Sequence, residues 1–356
     1  MSLKRKQKNK YLFVAQDPGG LMALVPVVQR LRRKGFAPVL WVSKSSVVIA
    51  SRLREKHVDC TGWSAAAFKK KLALVLPSVI VTGVSDGMSP DKRVIALARK
   101  NSIPVITLLD FWSTNYAINF STPATDDRVF LPTTICAIDN LMKRQMIEEG
   151  LPSKRIVVTG NPSFAKCKQN NTVKKRGVLF VCQPFTEMLK EFGRVARMPR
   201  YNEIEIFATY VRLLERYYPE EKVSIAFHPR ALKRKKFDTI IKRSKLKITI
   251  ASQATDLLMP KARLVLGINS AVLFRAALLG IPTISYQPGI QQKEDSLISN
   301  HLGLSRAAYT ITQLEKIFLN VFKNKQSADR IQKIRDQYVD SKAIDRVIRV
   351  VNDSIV

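Results

Sequence analysis

The chain has 356 residues, 46% of them hydrophobic, and carries 60 Lys and Arg against 28 Asp and Glu, a formal charge of +32. This length favours two domains over one, because single hydrophobic cores seldom grow beyond about 250 to 300 residues. The charge excludes an ordinary mixed surface and predicts an anionic partner, which is nucleic acid, an anionic membrane leaflet or a phosphorylated substrate.

The cysteines and the apolar runs indicate the compartment. Cys60, Cys136, Cys167 and Cys182 show no C-x-x-C spacing, and reduced thiols pack well in apolar strands. The apolar run behind the basic N-terminus is too short for a signal peptide, and no stretch approaches the roughly 18 apolar residues of a membrane-spanning helix. We therefore predict a cytoplasmic protein without a structural metal site, with peripheral contact to the inner membrane face as a further expectation.

Short apolar runs alternate with amphipathic stretches, which is typical of βα units around a parallel sheet. "YLFVAQ" predicts the first strand, and "LMALVPVVQRLRRKG" predicts a helix that Gly35 closes. Further strands are predicted at "APVLWVS", "PSVIVTG", "IPVITLLD", "TTICAIDN" and "RIVVTG", with helices at "SSVVIASRLREK", "SPDKRVIALARKN" and "LMKRQMIEEG". These elements predict a Rossmann-like first domain over residues 1–165.

The polar segment 161–177 reads as a linker, and the alternation restarts after it. Strands are predicted at "VLFVCQP", "VSIAFHP", "KITIAS", "RLVLGIN" and "IPTISY". A second Rossmann-like domain is therefore expected over 166–330, and a C-terminal helix over 331–356 is expected to cross back to the first domain. Two doubly wound domains would face a central cleft at the carboxyl ends of their strands, where ligands bind in such sheets.

In the first domain, candidate residues follow three strands. Asp17, Gly19 and Gly20 lie in "QDPGG", where glycines allow close approach and a helix N-terminus attracts anions, although a plain βα turn is the alternative. Asp86 and Asp110 follow later strands, and either carboxylate can serve as general base for an acceptor hydroxyl. A helix cap or turn residue is the alternative for each of these two.

In the second domain, the strand "VSIAF" ends in His-Pro-Arg. The His228 imidazole and the Arg230 guanidinium can both donate to a diphosphate, although a strand end stopped by proline is the alternative. The later run "GINSAVLFRAALLGIPTISYQPG" predicts a helix N-terminus that offers amides to the same anion. The donor-binding residues expected from this run are Gly267, Asn269, Ser270, Ala271 and Gln287.

The pair of "HPR" and "GINSAVLFRAALLGIPTISYQPG" resembles the donor-binding half of bacterial GT-B nucleotide-sugar enzymes, including UDP-GlcNAc 2-epimerases. The resemblance implies that His228 contacts donor phosphate and that Ser270 and its neighbours contact phosphate or ribose. The chain departs from the family in that Arg275 stands where a Glu usually holds the ribose. It also has Ser85 in the first acidic position of the sialyltransferase base motif, and the epimerase histidine motif is not evident.

The resemblance implies an enzyme, a glycosyltransferase that moves sugar from a nucleotide donor to a surface polysaccharide or glycolipid. The nucleotide-sugar is the substrate, and neither a cofactor nor a metal is expected, since no D-x-D occurs. A UDP-sugar 2-epimerase and a non-catalytic polyanion or membrane-surface binding protein are the alternatives. Residues 230–247 carry nine basic residues against Asp238, which predicts an anionic partner, although a solvated helix face or a generally basic proteome also explains the run. An anionic acceptor or membrane is favoured over nucleic acid because the sequence has no RNP-like interleaving of basic and aromatic residues, no zinc spacing and no short recognition module.

Overall fold

The computed structural model describes residues 10–85, 87–113, 115–123, 125–167, 174–192, 201–228, 234–253, 255–322 and 328–355. The chain divides into two compact units. Unit 1 comprises the chain up to Lys166 together with Asp340–Val356, and unit 2 comprises Cys167–Val339. Both are α/β structures with wholly parallel pairing between the described strands, so the predicted doubly wound fold class is confirmed.

The strands of unit 1 are β1 (Tyr11–Ala15), β2 (Val39–Val42), β3 (Val58–Asp59), β4 (Val79–Thr82), β5 (Val105–Leu108), β6 (Thr134–Ala137) and β7 (Ile156–Val158). Among the described residues they form one sheet in the order β3-β2-β1-β4-β5-β6-β7. The helices are α1 (Pro18–Arg33), α2 (Ser45–Arg52), α3 (Ala65–Val75), α4 (Pro90–Lys100) and α5 (Asn140–Glu148). Short 3₁₀ turns lie at Ala117–Phe120, Ser153–Arg155 and Phe164–Lys166.

The strands of unit 2 are β8 (Val178–Cys182), β9 (Val223–Phe227), β10 (Ile248–Ile250), β11 (Leu264–Gly267), β12 (Thr283–Tyr286) and β13 (Arg306–Ala308). Their order in the described sheet is β10-β9-β8-β11-β12-β13. The helices are α6 (Phe185–Phe192), α7 (Glu203–Tyr217), α8 (Asp238–Arg243), α9 (Thr255–Leu258), α10 (Ala271–Leu278), α11 (Ile298–His301), α12 (Ile311–Asn320) and α13 (Ala328–Tyr338). 3₁₀ turns lie at Arg234–Phe237, Met259–Lys261 and Gln292–Glu294.

A last helix, α14 (Lys342–Asp353), belongs to unit 1. Its residues Val347 and Val351 are fully buried in the same apolar cluster as α1. The Tyr11 hydroxyl donates to Asn352 Oδ1 at 3.0 Å, and Arg346 Nε donates to the carbonyl of Thr159 at 2.8 Å. The final helix of the chain therefore completes the core that the first strand begins.

The strands are continuous apolar runs because both faces of each sheet are covered. Every residue of β1 is buried, with Phe13 facing the α1 and α14 side and Leu12 facing α3 and α4. In unit 2, Phe180 and Ile225 pack with Phe207 and Tyr210 of α7 in one cluster. Where a helix follows a strand, the N-terminus of that helix lies at the carboxyl edge of the sheet.

The structure contains elements that the sequence pattern did not predict. Strands β3 and β13 are short edge strands, and α3 buries only Phe68 and Leu72. Within the predicted linker, Phe164–Lys166 forms a 3₁₀ turn, and residues 168–173 lie outside the described residues. In the described part of the chain, no helix is long and apolar enough to cross a bilayer.

Candidate functional site

Each sheet has one point where the strand order reverses direction, and such points open a crevice at the carboxyl edge. In unit 1 this switch point lies between β1 and β4, and in unit 2 it lies between β8 and β11. The loops at these two places contain most of the residues that the sequence singled out. We call them switch point 1 and switch point 2.

Switch point 1 is a close contact of two backbones. A Cβ added to Gly83 would lie 2.8 Å from the Cα of Gly20, and a Cβ added to Gly20 would lie 3.2 Å from the Cα of Gly83. A side chain at position 83 would therefore force the backbone of α1 to move, and one at position 20 would be tight. The backbone N–H of Asp17 also donates to Ser85 Oγ at 3.3 Å.

Asp110 lies directly over the first turn of α1. A Cβ on Gly19 would lie 1.8 Å from Asp110 Oδ2, so the absence of a side chain at Gly19 makes room for the carboxylate. Asn161 Nδ2 donates to the Asp110 carbonyl at 2.8 Å and fixes the backbone after β5. The positive end of the 16-residue helix favours a negative charge at this place. The structure thus brings the predicted Asp110 and Gly19 together.

Asp17 is the N-cap residue of α1, but its side chain makes no capping hydrogen bond. Its position at the start of the helix puts a second carboxylate at switch point 1. The other predicted base, Asp86, lies outside the described residues. Trp112, two residues after Asp110, is buried and donates from Nε1 to Asp139 Oδ1 at 3.2 Å.

Sequence reasoning missed Asp91, a third carboxylate at switch point 1. It lies in the first turn of α4 and is 2% exposed. Burial raises its pKa to about 6, and the charge of Asp17 adds to the effect. Its Oδ1 is buried and finds no hydrogen-bond partner among the described residues, and the same holds for Ser89 Oγ. The only signal in the sequence was an acid directly after a Ser-Pro helix start.

Switch point 2 is held by side chains. The amide N–H of Asn269 donates to Gln183 Oε1 at 3.2 Å, which joins the loop after β11 to the loop after β8. Asn269 Nδ2 donates in turn to Ser296 Oγ at 2.8 Å. One of the amides expected to face an anion is therefore already used within the unit.

Ser270 is the N-cap of α10, as the motif predicts, with its Oγ accepting from Val272 N at 3.2 Å. It is 9% exposed, and Ala271 begins the helix. His228 follows β9, its N–H donates to the Cys182 carbonyl at 3.0 Å, and its ring is partly exposed. Arg230 lies outside the described residues. An imidazole and a helix N-terminus therefore share the carboxyl edge of unit 2.

Gly267 and Gln287 lie deeper. A Cβ on Gly267 would come within 3.0 Å of Leu273 Cδ2, so this glycine lets α10 pack on β11. Gln287 is fully buried: its Nε2 donates to Ser285 Oγ at 3.0 Å and to Asp295 Oδ1 at 2.8 Å. Its Oε1 accepts from the Tyr201 hydroxyl at 2.8 Å. Both residues therefore support the loops of this edge from the interior of unit 2, Gly267 by close packing and Gln287 by buried hydrogen bonds.

Asp295 is the centre of a buried network that sequence reasoning missed. Its Oδ1 accepts from Leu297 N at 2.8 Å, and its Oδ2 accepts from Asn300 Nδ2 at 2.7 Å and from the Tyr309 hydroxyl at 2.8 Å. A buried carboxylate with four donors is strongly fixed. Through Gln287 it supports the loop that follows β12.

Arg275, which stands where the resembling family has a glutamate, pairs with an acid of its own unit. Its Nη1 lies 2.7 Å from Asp256 Oδ1. Among the described residues, no group of three or more His, Cys, Asp or Glu side chains is placed to hold a metal ion.

No family model matches the chain, and no curated protein matches its sequence. Solved structures do match it. UDP-GlcNAc 2-epimerase from Neisseria meningitidis bound to UDP-GlcNAc is 13% identical with a TM-score of 0.70, over 97% of this chain and 100% of that one. The chain has a GT-B fold. UDP-GlcNAc 2-epimerase from Methanocaldococcus jannaschii in complex with UDP-GlcNAc and UDP is 16% identical with a TM-score of 0.66, over 97% and 99% of the two chains.

The glycotransferase of kitacinnamycin is similar to the same extent, at 12% identity and a TM-score of 0.63 over 98% of this chain and 100% of that one. Enzymes named for two different reactions therefore share this fold. The likeness confirms the predicted GT-B architecture, and at this level of identity it speaks for the fold alone.

Proposed function

We propose that the protein is an enzyme that acts on a nucleotide-activated sugar and that unit 2 binds the nucleoside diphosphate. The observation that carries the proposal is that His228, which follows β9, and the α10 N-terminus, which follows β11, lie at the same carboxyl edge on either side of β8. It is supported by the fold, since solved structures of this fold are named as complexes with UDP-GlcNAc and UDP. UDP is accordingly the first nucleotide to test.

The chemistry of switch point 2 suits a departing diphosphate. When the bond between sugar C1 and the phosphate oxygen breaks, negative charge grows on that oxygen. The His228 imidazole would donate to it, and the N-terminal dipole of α10 would stabilise it. We include Arg230 as a second donor. Gly267, Asn269, Ser270, Ala271 and Gln287 would shape this site, with Gln287 acting through the Asp295 network.

For the reaction we propose glycosyl transfer with Asp110 as the general base. The Asp110 carboxylate would take the proton of an acceptor hydroxyl while the acceptor oxygen forms a bond to C1. The position of this carboxylate over Gly19 at the start of α1 supports the assignment, and Asp17 and Gly20 would complete the loop. Asp86 is the alternative base. A surface polysaccharide or glycolipid is the acceptor class that we propose.

Epimerisation of a UDP-sugar is a second candidate. Structures named UDP-GlcNAc 2-epimerase match along 97% of the chain, which supports this reaction as much as transfer. Epimerisation needs one group that removes a proton from the sugar carbon and a second group that returns a proton to it. Asp91 is the candidate for the second group, because its carboxyl, with a pKa of about 6, is protonated at mildly acidic pH. The two reactions differ in product: an epimerised sugar without an acceptor, or a transferred sugar with one.

The first experiment measures the melting temperature with UDP, GDP, CDP, TDP and CMP. A ligand at one hundred times its Kd adds about 2.7 kcal/mol and raises the midpoint by several degrees. We expect UDP to stabilise the wild type but not His228→Ala. His57→Ala is the matched control, because the His57 ring is hydrogen-bonded to the Glu55 carbonyl in its own loop of unit 1.

Turnover then separates the reactions. UDP-GlcNAc is incubated with and without a lipid or glycan acceptor, and UDP release and the sugar product are measured. Acceptor-dependent release supports transfer, and an epimerised sugar without acceptor supports the second candidate. EDTA should leave the rate unchanged if the reaction is metal-independent. Stabilisation by heparin or RNA alone, equal in both histidine variants, would overturn the enzyme proposal in favour of a polyanion-binding protein.

A further inference from the structure

The C-terminal end of α3 presents leucines to solvent. Leu74 is 67% exposed and Leu76 is 65% exposed, and among the described large apolar side chains these exposures are the highest. The helix is held to unit 1 by Phe68 and Leu72 on its other side. A contiguous apolar surface that a monomer leaves exposed often marks an interaction site.

The same helix is strongly basic. Lys69, Lys70 and Lys71 are all exposed, and α3 contains no acidic residue. None of the three lysines forms an ion pair with an acid in the described part of the chain, and Lys71 Nζ lies 6.0 Å from the centre of the Trp63 ring. Exposed leucines beside lysines are typical of segments that lie on an anionic lipid surface.

An arginine-lined cavity lies at the same edge of the sheet. It has a volume of about 510 Å³, and it is formed at the amino ends of β5 and β6 by the second half of α4 and the residues before these strands. Its apolar wall includes Ile95 and Val105. Its charged lining comprises three arginines, Arg99, Arg128 and Arg155, and one acid, Asp127, and Arg128 is paired with Asp126. Arg99 has no hydrogen-bond partner among the described residues, and Arg155 donates from Nη1 to the Pro132 carbonyl at 2.9 Å.

The two features are neighbours on one edge. Helix α3 leads through Ser78 into β4, which pairs with β5, and α3 also packs on α4. The start of β1 lies at the same edge, because the Ser78 N–H before β4 donates to the carbonyl of Lys10 before β1 at 2.8 Å. The amino edge of unit 1 therefore combines apolar tips, lysines and an arginine pocket, and we call it the amino-edge surface.

The chain's own N-terminal residues are unsuited to cover this surface. The sequence before Lys10 carries the like charges Lys4, Arg5, Lys6 and Lys8. These would be repelled by the three lysines of α3 rather than attracted. Nucleic acid would satisfy the charges but would leave Leu74 and Leu76 in contact with phosphate or water. An anionic bilayer satisfies both, because its phosphates meet the cations and its acyl boundary takes the leucines.

We propose that the amino-edge surface docks on an anionic lipid bilayer, with Leu74 and Leu76 entering the headgroup region and the arginine pocket taking one lipid phosphate. The edge that carries this surface is opposite to the carboxyl edge of the same sheet, where switch point 1 lies. Lipid binding would leave the loops of switch point 1 clear of the headgroups.

The test is co-sedimentation with vesicles of phosphatidylcholine alone and of phosphatidylcholine with phosphatidylglycerol. We expect binding only to the anionic vesicles, weakened by salt. Leu74→Gln with Leu76→Asn should weaken partitioning about 100-fold, from roughly tenfold for each leucine removed from the interface. Asn suits position 76, whose φ of 47° is left-handed, so this variant should remain folded. Lys69→Gln with Lys70→Gln should weaken partitioning about 25-fold, and Arg99→Gln with Arg155→Gln by a similar factor.

Matched controls lie in unit 2. Leu257→Gln removes a leucine that is 61% exposed, and Lys261→Gln with Lys316→Gln removes two exposed cations outside the basic run 230–247. Both should bind vesicles as the wild type does. The proposal is overturned if anionic vesicles do not sediment the protein at low salt, or if the control variants lose as much binding as the test variants. It is equally overturned if the leucine variant binds normally while the lysine variant fails and RNA competes the vesicles away, since that outcome identifies nucleic acid. The UDP-dependent melting shift should be unchanged in every variant.

Discussion

Switch points 1 and 2 have the same topology but opposite chemistry. The first joins two backbones through Gly20 and Gly83 and gathers the carboxylates of Asp17, Asp91 and Asp110. The second joins two loops through the Gln183 side chain and presents an imidazole and a helix N-terminus, with no acid among these groups. Under the proposed function, the edge of unit 1 would accept a proton and the edge of unit 2 would hold the diphosphate. The predictions below test this division, from the largest expected effect to the smallest.

Asp110→Asn should lower kcat by about 10² to 10⁴-fold, the usual contribution of a general base. The amide has nearly the same shape, so the contact with Gly19 and the nucleotide-dependent melting shift should persist. Steady-state UDP release measures the effect. A full rate in this variant would exclude Asp110 as the base and leave Asp86 as the candidate.

Asp91→Asn should make the protein more stable at neutral pH. Because burial raises the pKa of Asp91 to about 6, the folded state binds this proton more tightly than the unfolded chain, whose Asp pKa is about 3.9. The contribution to stability is complete below about pH 4 and is lost as the pH rises through 6, for a total of up to about 3 kcal/mol. Urea unfolding from pH 4 to pH 8 measures this slope, which should disappear in the variant. Asp353→Asn, exposed near the end of α14, should keep it.

Gly83→Ala should lower the free energy of unfolding by about 1 to 3 kcal/mol, because its Cβ would meet the Gly20 backbone. Gly267→Ala is the control in unit 2. There the added Cβ meets the end of the Leu273 side chain, which can move, so the loss should be smaller. Equal losses in urea denaturation would show that the backbone contact has no special role.

His228→Ala should weaken UDP binding about 10 to 100-fold, the range for a hydrogen bond to a charged group. Calorimetric titration measures it, with Asp110→Asn as the comparison that should bind UDP normally. A variant of Asp110 that loses UDP binding, or one of His228 that keeps it, would reverse the division between the two switch points.

Gln183→Ala should have the smallest effect, about 1 kcal/mol of unfolding free energy, because one hydrogen bond to Asn269 is lost. UDP binding should weaken slightly if this bond orients the α10 N-terminus. A loss of unfolding free energy as large as that of Gly83→Ala would mean that the side-chain contact at switch point 2 contributes as much stability as the backbone contact at switch point 1.

Much of the fold follows from the sequence because buried parallel strands are continuous apolar runs. "VLFVC" and "VITL" have this form, and the strands lie there. β3 and β13 have too few residues to show a period. Helix α3 was missed although Phe68, Leu72 and Val75 have helical spacing, because the exposed Leu74 and the alanines beside them blur the apolar face.

The candidate site was predictable where a residue follows a strand directly. Asp110, His228 and Ser270 all lie at such ends, so their edge of the sheet could be inferred. Asp91 and Asp295 could not be found in this way, because their importance comes from burial and from partners distant in sequence. Gln287 follows β12 as predicted, yet its full burial depends on Tyr201 and Asp295.

The position of α14 has a consequence for how the chain folds during synthesis. Unit 2 is encoded inside unit 1, since α14 packs beside α1 only after all of Cys167–Val339 has been made. Until then, Val25 and Val28 and their neighbours in the α1 cluster lack part of their cover. Unit 2 can therefore fold on the ribosome before unit 1 is complete. The face of α1 that α14 covers stays exposed until the end of synthesis. A chaperone that binds exposed apolar surface would bind this face of α1 rather than unit 2.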